Sequence, residues 1–168
     1  MEFECSTVAQ IKSQGFIGFR TVKELRAARL AGVPTNRGVY LIIRDNQLAP
    51  TFLPASTGGH FKKKDPSVDM ATLRSRWVAT SPVLYIGKGG GEGINQNLFS
   101  RLSLYMQFGA GNACGHWGGR YIWQLADADS LEVCWMETPN QEPRMVEKSM
   151  IEIFVARHGK RPFANIQG

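Results

Sequence analysis

Two tyrosines, an arginine and a glutamate carry the most specific chemistry in this sequence. Tyr40 and Tyr85 lie in short apolar segments, whereas Arg101 and Glu147 lie in segments with the apolar spacing of helices. A guanidinium suits phosphate oxygens because it is planar and always charged. A single carboxylate holds one magnesium ion when water and a substrate phosphate complete the shell. Taken alone, each of these residues is better explained by an ordinary surface or half-buried position.

A glycine-rich run follows the second tyrosine and invites comparison with a phosphate-binding loop. Gly87, Lys88 and Gly89 begin the run. A Walker loop needs Ser or Thr directly after its lysine, to reach magnesium, and Gly89 stands there instead. The run is therefore better explained as a flexible connection from a strand to a helix.

One histidine is a further candidate for proton transfer. His116 follows Arg101 by fifteen positions, and its imidazole could protonate a leaving oxygen because histidine titrates near neutral pH. A position without a function is an equally good interpretation of this histidine. Cys114 and His116 do not predict a zinc site, since too few further ligands are at hand.

The candidate residues must be positioned by a small α/β domain. Strands are predicted where β-branched and aromatic residues cluster, over 38–44, 83–87, 131–136 and, more weakly, 121–125. Helices are predicted from apolar spacing and terminal signals, over 21–31, 96–108 and 143–159. The proline- and glycine-rich stretch 45–82 predicts a long inserted loop with a short helix near 70–78. The expected fold is a small mixed or antiparallel sheet flanked by helices.

Length and composition restrict the class of protein. The 168 residues fit one domain, and a hydrophobic fraction of 43% supports a real core. Three cysteines without paired spacing argue against a disulfide framework. The apolar runs are too short to span a bilayer, and the acidic N-terminus does not resemble a secretory signal. We therefore expect a soluble, cytoplasmic protein with no membrane partner.

The charge balance favours a polyanionic partner. The formal net charge is +6, and the excess lies entirely in residues 1–100. Basic side chains gain binding free energy from phosphates by releasing counterions. Candidate contacts are the run Lys62, Lys63 and Lys64, and the helix residues Arg26 and Arg29, although a solvated surface is the commoner position for such residues.

The order of the motifs resembles that of the GIY-YIG nuclease family. Gly38-Val39-Tyr40 lies in the first predicted strand and Tyr85-Ile86-Gly87 in the second. Arg101 and Glu147 follow on separate predicted helices, and Pro162-Phe163-Ala164-Asn165 comes near the end. Each short motif occurs by chance, but the ordered series is much harder to obtain accidentally. The resemblance covers most of the chain.

The resemblance implies a metal-dependent endonuclease that hydrolyses phosphodiester bonds, with Mg²⁺ or Mn²⁺ as cofactor and DNA favoured over RNA as partner. It implies that Tyr40 positions or deprotonates the attacking water, and that Tyr85 contacts the water or the phosphate. Lys88 would assist, because an ordinary phenol pKa is about 10. Catalytic residues would then be Tyr40, Tyr85, Lys88, Arg101, His116 and Glu147, with Glu147 as metal ligand and with supporting roles for Gly38, Gly87, Tyr105 and Asn165.

The chain departs from the family pattern by its insertion. The family joins its two strand motifs by a short hairpin, whereas residues 45–82 stand between them here. We expect an N-terminal helical extension over 1–34 and a nuclease-like domain over 35–168. Any sequence specificity is expected to lie in the extension and the insertion.

Two other functions fit the same motifs. The chain could be a nucleic-acid-binding module that retains the fold without cutting, or a nuclease acting as a toxin or defence factor on DNA or RNA. One active site cuts one strand. A double-strand break would therefore require either a homodimer or two sequential nicks.

Overall fold

The computed structural model describes residues 2–166 of the chain. Helices and strands follow one another as α1 (Val8–Ser13), β1 (Ile17–Thr21), α2 (Val22–Ala27), β2 (Gly38–Ile43), α3 (Met70–Arg76), β3 (Val83–Gly89), α4 (Leu98–Gly109), β4 (Glu132–Glu137) and α5 (Pro143–His158). Short 3₁₀ segments occupy Phe61–Lys63, Trp117–Gln124 and Ala128–Ser130. Within residues 2–166, no helix is long and apolar enough to cross a membrane.

The four strands form one sheet in the order β1-β4-β2-β3, and every neighbouring pair is antiparallel. This confirms the expected α/β class and makes the sheet antiparallel rather than mixed. β2 lies in the interior of the sheet and all six of its residues are buried. β3 is an edge strand, so one side of its backbone is free to meet other parts of the chain.

Helices cover both faces of the sheet because alternate residues of each strand point to opposite faces. Tyr40 and Ile42 point towards α2, α4 and the 3₁₀ segments, where they join the larger core cluster. Val39 and Leu41 point the other way, towards α1 and α5. The protein is therefore a sheet between two helical layers, with α4 on one side of β3 and α5 on the other.

Several predicted elements are confirmed with small shifts of their ends. The helix that was expected over 21–31 begins with a capping box in which the Thr21 hydroxyl accepts from the Glu24 N–H. It ends at Ala27, because Arg29 and Leu30 adopt positive φ angles of 50° and 59°. The last helix ends at Gly159, whose φ of 76° is the usual left-handed cap.

Two elements differ from what was expected. Residues 121–125 do not form a strand and belong mostly to the 3₁₀ segment Trp117–Gln124. There the Gln124 side chain bonds to the backbone of Leu53 and Val68. Strand β1 lies within residues 1–34, the expected helical extension, together with helices α1 and α2. Positive φ angles at Gly18 and Phe19 and a register shift after Gly18 interrupt the alternation that would have revealed this strand.

The insertion over 45–82 packs on the domain. Phe52 stacks on Phe163 with ring centroids 5.8 Å apart, and Leu73 of α3 is fully buried. Trp77 contacts both aromatic rings. The insertion therefore forms part of the larger core and includes the expected short helix, α3.

Candidate functional site

Tyr85, Arg101 and Glu147 come together from β3, α4 and α5. These three residues line two adjacent cavities, one of about 230 Å³ and one of about 960 Å³. The smaller cavity also contains Lys88 from the end of β3. Segments far apart in the sequence thus place a phenol, a guanidinium, an ammonium group and a carboxylate around one cleft.

Glu147 is a half-buried carboxylate surrounded by cations. Burial raises its pKa above the ordinary value, and the charges of Lys88, Arg101, Arg144 and Arg161 oppose that rise. The α5 helix supplies Glu147 from its second turn, after Pro143 has started the helix in the first position. A desolvated carboxylate of this kind is stabilised by a positive ligand.

The donor set at Glu147 fits a magnesium ion better than a zinc ion. Within residues 2–166, no group of three His, Cys, Asp or Glu side chains forms a preformed metal cluster. Zinc needs three or four protein ligands. Magnesium takes one or two carboxylates and keeps its water and substrate ligands, so a single carboxylate such as Glu147 is compatible with magnesium.

Tyr85, not Tyr40, faces the cavities. Tyr85 is 6% exposed and lines both of them, whereas Tyr40 is fully buried behind it, with the two ring centroids 6.0 Å apart. Burial raises the pKa of both phenols, that of Tyr40 well above its usual value. Both phenols are therefore protonated at neutral pH, and Tyr85 is placed to donate a hydrogen bond to a bound group.

His116 lies in the interior and bonds to Tyr40. Its Nε2 is 3.0 Å from the Tyr40 hydroxyl, and its ring packs edge-on against Tyr105 with centroids 4.5 Å apart. Burial, together with the charge of Arg101, lowers the pKa of His116 to about 3. In this position the neutral, fully buried imidazole holds Tyr40 and lines neither cavity, and the general-acid role expected for His116 stays a prediction.

Gly87 is required by the position of the Tyr40 ring. The two residues are paired on neighbouring strands, and a Cβ on Gly87 would lie 2.6 Å from the Tyr40 hydroxyl oxygen. Gly38 is restricted in the same way, because a Cβ there would approach the Leu98 side chain to 2.9 Å and also meet the Met136 carbonyl. Gly87 therefore allows close packing against Tyr40, and Gly38 allows close packing of β2 against α4 and β4.

Arg101 and Lys88 keep their charges available. The Arg101 Nη1 donates a long bond of 3.4 Å to the Gly115 carbonyl, and within residues 2–166 neither side chain has an ion-pair partner inside 4.0 Å. Both side chains are partly exposed. Two unpaired cations beside one carboxylate make a site with excess positive charge.

Asn165 supports the free edge of β3. Its side-chain oxygen accepts from the Ile86 N–H at 2.9 Å, and its side-chain nitrogen donates to the Ile86 carbonyl at 2.8 Å. Ala164 N–H donates to the Leu84 carbonyl at 2.8 Å. Asn165 therefore satisfies the backbone groups of the residue next to Tyr85, and the supporting role expected for it at the site stays a prediction.

Tyr105 is part of the core beneath the site. Its ring is fully buried and nearly parallel to that of Tyr85, at 6.3 Å between centroids. Its hydroxyl has no hydrogen-bond partner within the described residues. Tyr105 therefore acts through packing, and its hydroxyl reaches neither cavity.

The basic residues expected to bind nucleic acid have different surroundings. Arg26 forms an ion pair with Asp129 at 2.8 Å and its guanidinium lies over the Trp123 ring. Its charge is therefore already paired within the protein. Arg29 is exposed on the turn after α2. The lysine run 62–64 is exposed, and Phe61 beside it contacts the Gly115 region that also meets Arg101. None of these candidates is among the described residues that line the two cavities.

Two arginines of the cleft were not predicted. Arg144 and Arg161 line the larger cavity with Glu147. Arg144 precedes Glu147 by three positions, which places both on one face of α5. That spacing could have predicted Arg144 as a neighbour of Glu147. Arg161 stands alone after a helix, and no sequence pattern marks it as a residue of the cleft.

The chain matches no family model, no curated protein and no solved structure. The relation to the GIY-YIG nucleases therefore remains a prediction from the motifs.

Proposed function

We propose that this protein is a metal-dependent endonuclease of the GIY-YIG type, which hydrolyses phosphodiester bonds of nucleic acid, with DNA as the favoured substrate. The observation that carries the proposal is the convergence of Tyr85, Arg101 and Glu147 on the wall shared by two cavities. These residues come from three separate elements. If each were an ordinary surface residue, nothing would require the three side chains to meet in one cleft.

The protein's cations would hold the scissile phosphate at this shared wall. The Arg101 guanidinium is suited to bind non-bridging phosphate oxygens, and Lys88 adds a second positive charge from the smaller cavity. Tyr85 donates a hydrogen bond to the same phosphate or orients the attacking water. Fixed donors aimed at developing charge lower the barrier without reorganising during the reaction.

Glu147 would hold the divalent cation. The cation, when bound, neutralises charge on the phosphate and on the leaving oxygen. In hydrolysis the water oxygen bonds to phosphorus, the bond from phosphorus to the leaving oxygen breaks, the attacking water gives a proton to solvent, and the leaving oxygen takes one from solvent. Tyr40 and His116 support the site from behind by fixing the position of Tyr85.

Incubation of the protein with supercoiled plasmid DNA in Mg²⁺ and in EDTA tests the activity. We expect nicked or linear products in Mg²⁺ and none in EDTA. A structured RNA under the same conditions is the parallel substrate. Binding to either nucleic acid with no cleavage in Mg²⁺ or Mn²⁺ would contradict the proposal and favour the binding module.

A further inference from the structure

The larger cavity extends away from the shared wall along α5. Its charged lining consists mainly of cations: besides Arg101 it includes Arg144, Lys148 and Arg161, against Glu147 and Glu152. Lys148 and Glu152 already face each other at 3.8 Å. Besides Arg101, the cations of this cavity that remain free to bind a ligand are therefore Arg144 and Arg161.

Arg161 is a partly buried cation without an internal partner. Its Nε is inaccessible to solvent and has no hydrogen-bond partner within residues 2–166, and no carboxylate lies within 4.0 Å of its guanidinium there. Guanidinium groups only donate hydrogen bonds, and an unpaired buried donor is costly. Pro162 restricts the backbone directly after Arg161, and on its other side the Lys160 ammonium donates to the Ser75 carbonyl at 3.2 Å.

Arg144 is exposed one turn before Glu147 on the same face of α5. It also has no ion-pair partner in the described part of the chain. Arg144 and Arg161 both line the larger cavity with Glu147, and the charges of both oppose the rise in the pKa of that carboxylate, so the two guanidinium groups border the same region of the cleft. Ile151 and Val155 add apolar lining to this cavity, which suits a sugar or base.

We propose that Arg161 and Arg144 bind the phosphate next to the scissile phosphate, so that a nucleic-acid strand runs from the smaller cavity, past Tyr85 and Arg101, into the larger cavity along α5. This inference rests on the proposed function, since it names the path of the same substrate. The difference in size between the cavities, about 230 Å³ against about 960 Å³, agrees with one side holding a phosphate edge and the other holding most of a nucleotide.

The salt dependence of binding tests this path without requiring cleavage. The probe is a fluorescent duplex DNA oligonucleotide, titrated in EDTA over a range of KCl concentrations. Each phosphate contact with B-DNA contributes about 0.9 to the slope of log K against log salt concentration. Because both guanidinium groups bind one phosphate, we expect Arg161→Gln and Arg144→Gln each to lower the magnitude of the slope by up to about that amount, and Arg161→Lys to retain it.

Lys23→Gln is the matched control, because it removes one positive charge from an exposed position on α2, and it should leave the slope unchanged. In Mg²⁺ the two glutamine variants should raise KM with kcat nearly unchanged, as expected for a contact away from the reacting atoms. If Arg161→Gln shows no cooperative thermal transition, the exposed Arg144 carries the test.

The outcomes separate this inference from the proposed function. Wild-type slopes for both glutamine variants, with binding intact, would overturn the strand path and leave the arginines as neighbours that only keep Glu147 charged. Failure of the wild-type protein to bind any nucleic acid would overturn the proposed function itself.

Discussion

At the scale of single residues, two buried tyrosines with different hydroxyl environments permit a direct comparison. The Tyr40 hydroxyl bonds to His116, whereas the Tyr105 hydroxyl has no partner in the described residues. Tyr40→Phe leaves the His116 Nε2 buried and unpaired, so we expect a loss of about 1–3 kcal/mol in the free energy of unfolding. Tyr105→Phe should change it by less than about 0.5 kcal/mol or raise it. Urea unfolding measures both, and equal losses would contradict the assigned Tyr40–His116 bond.

The burial of His116 makes stability depend on pH. Its pKa is about 3 in the folded protein and about 6.5 in an unfolded chain. Between these values the unfolded chain binds a proton that the folded protein excludes. The free energy of unfolding should therefore fall as pH falls from 6.5 towards 3, by at most about 1.4 kcal/mol per pH unit from this group.

His116→Gln isolates that contribution, because glutamine retains a polar side chain for Tyr40 but cannot take up a proton in this range. Its unfolding free energy, measured in urea from pH 7 to pH 4, should decline less steeply than that of the wild-type protein. His60→Gln, at a loop position whose side chain is 65% exposed, is the control and should follow the wild type. Parallel curves for wild type and His116→Gln would show that His116 is accessible to protons in the fold.

At the scale of elements, the edge strand β3 depends on a side chain in place of a fifth strand. Asn165 satisfies both Ile86 backbone groups, so Asn165→Ala should cost about 1–3 kcal/mol in unfolding free energy and also lower cleavage, because Ile86 adjoins Tyr85. Asn140→Ala, at an exposed position before α5, should stay within about 0.5 kcal/mol of wild type. Urea unfolding that finds the two variants equally stable would contradict this role.

The elements that the sequence predicted well are those with a regular pattern and a terminal signal. The Thr21–Glu24 capping box, Pro143 and Gly159 all mark helix ends where they were expected. β1 could not be predicted, because two left-handed residues break its alternation. The prediction of a strand around Gln124 was wrong because the aromatic residues of this segment are typical of strands. The segment is instead held in a 3₁₀ conformation that lets the Gln124 side chain bond to the backbone of the insertion.

At the scale of the whole molecule, the sequence predicted part of the membership of the cleft, but neither Arg144 and Arg161 nor the depth at which each residue lies. The motif order placed Tyr85, Arg101 and Glu147 together, and the structure brings them to one cleft. The sequence could not show that Tyr40 and His116 lie behind Tyr85, because their burial depends on α4 and the 3₁₀ segment packing over them. The packing of helices on the sheet therefore determines that Tyr85, and not Tyr40, is accessible from the cleft.

The most direct test of the account is the rate at which supercoiled plasmid DNA is cut in Mg²⁺ by Glu147→Gln, beside Glu132→Gln. Glu132 pairs with Ile43 at the end of the sheet opposite Gly38, so its substitution removes one carboxylate away from the cleft. We expect a loss of about 100-fold or more for Glu147→Gln and a wild-type rate for Glu132→Gln. A wild-type rate for Glu147→Gln would contradict the claim that this cleft is the active site.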